Sequence, residues 1–103
     1  MSKFILYECH IKDDNDYDRK EIASSGSFQG CISKMPVDTL DIGGFFKIEK
    51  MGLLNKVKQE YFFYRNGNMP ENMETDEFLS EIKRQKETSH VSWWLGDEKE
   101  QEK

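Results

Sequence analysis

Cys9 and His10, adjacent in "YECHI", together with Cys31 and His90, are the residues whose types could support nucleophilic or metal chemistry. Neighbours in a strand point to opposite faces, so Cys9 and His10 cannot pair as thiolate and imidazolium. Cys9 falls on an apolar face, where a thiol behaves as a small inert hydrophobe. That leaves Cys31 with His10 or His90 as the one pair that could serve a small enzyme or ligand-binding domain. The two cysteines lack CxxC spacing and a histidine cluster, so they form neither a zinc nor a redox motif. A nucleophile elbow and a glycine-rich phosphate loop are also missing. No catalytic residue and no cofactor is assigned.

Asp14, Asp16 and Asp18 occupy the first three ligand positions of a calcium-binding loop. The match then fails, because Arg19 stands where glycine is needed and Ser25 where a bidentate glutamate is needed. No metal site is assigned, and these carboxylates read as a solvated acidic loop able to steer a partner. The aromatics of "EYFFY" near Lys56, Lys58 and Arg65 superficially suggest base stacking, but the RNA-recognition pattern is absent.

What remains points to a protein partner. Trp93 and Trp94 in a strand must face opposite ways, so one indole is driven outward unless the helix or the tail covers it. Tyr61 and Tyr64 bracket an aromatic run that must split between two faces, and Leu53 and Leu54 sit at a hairpin tip. Exposed tryptophan and tyrosine are the types that most often dominate interface energy.

These residues need elements to hold them. Alternation over 3–11 predicts a strand with Ile5, Tyr7, Cys9 and Ile11 on one face. The polar "KDDNDYDRKE" reads as a loop, and Phe28 to Lys34 as a short strand ended by Pro36. Residues 45–65 fit either a hairpin turning at Gly52 to Asn55 or an amphipathic helix, and the strand-favouring "FFKI" and "EYFFY" tip the reading to a hairpin. Thr75 caps a helix over 76–87, with Phe78, Leu79 and Ile82 on its apolar stripe. "HVSWWL" reads as a last strand, whose exposed edge over 91–95 could pair with a second copy to give a homodimer.

The chain has 103 residues, twenty acidic and fifteen basic, for a net charge of −5. That length suits one domain, taken as 1–96, followed by a charged tail over 97–103 read as disordered. The fold class expected is α+β: an antiparallel sheet of four to five strands with one helix packed on one face. The acidic balance argues against nucleic acid and membranes as partners, and the short apolar run at the N-terminus reads as cytoplasmic rather than exported. The expectation is a small acidic binding module that inhibits or modulates a larger protein with a basic surface, with nucleic-acid mimicry as one route. In general type it resembles phage or mobile-element inhibitors of host machinery and immunity proteins that cap basic nucleases.

Overall fold

The structure, a computed structural model, describes residues 3–12 and 16–102, with side chains described as far as Thr88. Four antiparallel strands form one sheet: β1 (Lys3–Ile11), β2 (Tyr17–Ser25), β3 (Gly44–Met51) and β4 (Val57–Phe63), in the order β2-β1-β3-β4. Helix α1 (Phe28–Ser33) lies on one face and helix α2 (Thr75–Glu102) begins on the other. This is the expected α+β class, with a second, shorter helix added.

β1 takes a central place because it is apolar on both sides. Ile5, Tyr7, Cys9 and Ile11 join Phe45, Phe62, Phe78, Leu79 and Ile82 on the α2 side. Phe4 and Leu6 join Cys31, Met35, Leu40, Phe46, Ile48 and Phe63 on the α1 side. A strand buried on both faces shows a nearly continuous apolar run, and β1 has one.

β2 occupies much of the stretch that reads as a loop. It is an edge strand, so its polar run Asp18 to Glu21 stays in solvent while its backbone pairs with β1 from Ile11↔Tyr17 to Phe4↔Ser25. Apolar periodicity is weak where only one edge and one end of a strand are covered. The register slips between Leu6 and Tyr7, leaving Ile22 as an extra residue, and both Ile22 and Ala23 pack on the α1 side.

Phe28 to Ser33 is helical rather than a strand. Ser27 caps it, its Oγ accepting from Gly30 N at 3.0 Å, and Phe28, Cys31 and Ile32 fall at the i, i+3, i+4 spacing that one helix face needs. The aromatic and β-branched types disguise that spacing. β3 and β4 form the expected hairpin, closed by a 3-10 turn at Leu53–Asn55.

Leu54 in that turn has φ 60° and ψ 28°, and Asn55 has φ 58°. Asparagine tolerates the left-handed region, but leucine there costs roughly 1 kcal/mol. Leu54→Asn is therefore expected to raise unfolding free energy by about 0.5–1 kcal/mol, read as a higher urea midpoint. A lower midpoint would mean that the Leu54 side chain stabilises the turn.

α2 confirms the helix over 76–87 and continues through the stretch read as a final strand. Its later residues include no proline, and Gly96 is the single strong helix breaker there. Trp93 and Trp94 consequently lie about 100° apart around a helix axis rather than on opposite faces of a strand. The edge over 91–95 that suggested strand pairing between copies does not form.

Candidate functional site

On the α2 side of the sheet, beyond the rings that meet Phe78, lies a network of buried charge. Glu49 and Glu60 face each other directly across β3 and β4, an unfavourable juxtaposition by itself. Lys47 resolves it: its Nζ lies 2.8 Å from Glu49 Oε2, donates to Tyr17 Oη at 2.8 Å and also bonds Glu60. Arg19 reaches across from the edge strand to Glu49 Oε2 at 2.5 Å, with its guanidinium 4.7 Å above the Tyr7 ring. Lys47 and Glu49 are only 4% and 2% exposed.

Burial alone would push the Lys47 ammonium down, but its bonds to Glu49, Glu60 and Tyr17 outweigh that and hold it above the ordinary 10.5. A lysine held this firmly charged does not act as an amine nucleophile at neutral pH. The nearby Cys9 thiol is pushed by burial from 9.0 up to about 12, so it too stays protonated and inert. These ion pairs join β2, β3 and β4 across one face of the sheet.

Cys31 and His10 are not brought together. Cys31 is fully buried on α1, where burial raises its thiol and the groups acting on it are Lys34 and the Ser25 backbone. His10 points to solvent near Glu8, with Nε2 and Oε2 3.6 Å apart. The His90 side chain lies outside the described residues.

The predicted partner-binding residues fall at opposite ends of the sheet. Lys3↔Met51 and Phe4↔Ser25 mark one end; Ile11↔Tyr17 and His10↔Gly44 mark the other. Leu53 and Leu54 stand at the apex of the first, 91% and 86% exposed. Asp16 and Asp18 are exposed at the second, where Lys12 Nζ reaches them at 3.8 and 3.2 Å. Asp14 lies outside the described residues, as do the side chains of Trp93 and Trp94. Tyr61 is half-buried against Phe28, ring centroids 4.8 Å apart, and so serves the α1-side core.

Tyr64 is half-buried too, its ring tilted against Phe78 with centroids 5.1 Å apart and its hydroxyl donating to Met73 Sδ at 3.5 Å. It also lines a groove of about 1160 Å³ with Asp38, Arg65, Met69, Glu71 and Gln85. The floor is fixed by backbone bonds: Tyr64 N to Asn68 O at 2.8 Å, and Asp38 N to Arg65 O at 2.8 Å. Gly67, at φ 90°, makes the turn between them, and Val37 sits so close that a Cβ there would clash. Exposed Val37, Ile42, Met69 and Met73 surround this end, together with Asp38, Asp41, Glu71, Glu74, Asp76 and Glu77.

Tyr64 was visible in the sequence as an aromatic at the end of a strand. The methionines and acids that join it come from the α1–β3 connection, the β4–α2 connection and the first turn of α2, and no spacing rule links them. No protein-family model, curated protein or solved structure matches the chain. No helix among the described residues is long and apolar enough to cross a membrane.

Proposed function

We propose that this protein is a non-enzymatic binding module that captures a basic surface of a larger protein and acts by covering it. The observation that carries this reading is the groove beside Tyr64, lined by exposed Met69 with Asp38 and Glu71, next to exposed Met73, which meets the Tyr64 hydroxyl. Methionine adapts its shape to a partner, and apolar surface rimmed by charge is what docking sites commonly present. The acids at that end outnumber the cations beside them: Arg65, which keeps its charge while donating to the Leu40 carbonyl at 2.9 Å, and Lys86 next to Gly43, with Lys12 paired to Asp16 and Asp18. The resulting negative field favours a basic partner and speeds encounter with it. The same proposal extends to inhibition of that partner, by plain covering or by standing in for nucleic-acid phosphates.

A photo-reactive amino acid at Asn68, beside the groove, tests this in the native cell. The expected result is one dominant cross-linked protein with a basic surface. Association of that protein, once purified, should slow about tenfold or more in Asp38→Lys/Glu71→Lys and slow with added salt. An association rate indifferent to both changes would remove the reading.

A further inference from the structure

The other end of the sheet has the opposite character. All twenty acids of the chain lie outside residues 1–7, 22–37 and 50–59, while those three segments carry five lysines: Lys3, Lys34, Lys50, Lys56 and Lys58. The register brings the segments together, since Lys3 pairs with Met51, Phe4 with Ser25, and Met51 with Val57. Lys34 Nζ reaches back to the Ser24 carbonyl at 2.9 Å, so it flanks the same end. The nearest carboxylates, Glu49 and Glu60, are taken by Lys47 and Arg19. Beyond this cationic end project Leu53 and Leu54, with exposed Val57 behind them.

We propose that this end docks on an anionic lipid bilayer, Leu53 and Leu54 entering the boundary between headgroups and acyl chains while the lysines meet lipid phosphates. Lys3, Lys50 and Lys58 are set back from the apex on β1, β3 and β4, and Lys56 flanks the leucines in the turn itself, so an apolar tip stands at the front of a cationic end. That layering matches a bilayer, whose anionic headgroups lie outside its hydrocarbon. The absence of acids from three segments remote in sequence suits a broad flat surface better than a small protein cleft. Leu54 keeps its left-handed backbone although asparagine would relieve it, as expected where function opposes local stability.

The net charge of −5 opposes this only if the charge is evenly spread. It is not. Asp16, Asp18 and Asp41 lie around the far end of β1, a strand of nine residues and so roughly 30 Å away, whereas exposed charges are screened beyond about 8 Å at physiological salt.

The experiment is co-sedimentation of the full chain with vesicles of phosphatidylcholine alone and of phosphatidylcholine mixed with phosphatidylglycerol. Binding is expected only to the anionic vesicles, weakening as salt is raised. Leu53→Ser/Leu54→Asn should reduce the partition coefficient about tenfold or more, and Lys56→Glu/Lys58→Glu should abolish binding, with circular dichroism confirming that both variants are folded. Met69→Ser, in the groove at the other end, should leave vesicle binding unchanged, which keeps this test separate from that of the protein partner. Equal pelleting with neutral vesicles, no pelleting with anionic ones, or undiminished binding by either tip variant would overturn the proposal. A tip that instead cross-links to a protein while ignoring anionic vesicles would overturn it as well.

Discussion

Stability is expected to fall by about 4 kcal/mol as the pH is raised from 9.0 to about 12, because burial pushes the Cys9 thiol across that whole interval. Below pH 9.0 the thiol is protonated in both states, and the buried neutral sulfur contributes its full stability. Above it the unfolded chain releases the proton while the folded chain retains it, so unfolding is favoured increasingly until the folded group also titrates. Two neighbours act in the same direction but begin later. The Tyr7 hydroxyl is raised above 10.0, first by burial and then by Glu49, and Lys47 holds its proton beyond 10.5.

The order of onset makes the assignment testable. Urea midpoints measured with reductant at pH 7, 9, 9.5, 10 and 11 should fall for the wild type from about pH 9. Cys9→Ala should start lower at pH 7, because the substitution empties part of a packed core, and then fall less steeply than the wild type between pH 9 and 10, its remaining slope coming from Cys31, whose thiol is also raised by burial. Parallel curves for the two proteins between pH 9 and 10 would show that Cys9 does not set the alkaline limit. A loss of about 4 kcal/mol matters because domains of this kind are stable by only about 5–15 kcal/mol.

β1 and the first half of α2 were legible from their periods, two in the strand and three to four in the helix. The β3–β4 hairpin was legible instead from strand-favouring residues on either side of the turn at Gly52 to Asn55, against a three-to-four period. β2 was hidden by its place at the edge, where backbone pairing with β1 holds a polar run that no apolar pattern marks. α1 was hidden by composition, since Phe28 and Ile32 favour strands while their spacing favours a helix capped by Ser27. The leucine tip was legible from the hairpin alone. Its electrostatic setting was not, because net charge is a sum over the chain and cannot show that the fold gathers acid-free segments at one end. The ion network was partly signalled by Lys47 and Glu49 alternating with Phe46 and Ile48 in β3, a pattern that reads as a solvated face. What reverses it is Phe45 on that same face, together with Tyr17 and Phe62, whose rings close over the charges.

Lys47→Met should be the most damaging single change on that face, costing about 3–5 kcal/mol, because it leaves Glu49 buried and Glu60 opposite it without their shared cation. Arg19 still reaches Glu49, but it is about half exposed, so it offsets only part of the loss. If an uncompensated charge is the cause, removing the charge as well should help. Lys47→Met/Glu49→Gln is accordingly expected to be more stable than Lys47→Met alone, a sign that simple loss of packing could not produce. Added salt should rescue Lys47→Met only weakly, since buried charges are poorly screened. A cost below about 1 kcal/mol would place the network among ordinary surface ion pairs. The same substitution bears on the basic end, for it is Lys47 that neutralises the carboxylates nearest the lysines of the tip. Lys47→Met should therefore also weaken binding to anionic vesicles, with the leucines and the tip lysines untouched, and Lys47→Met/Glu49→Gln should restore part of it.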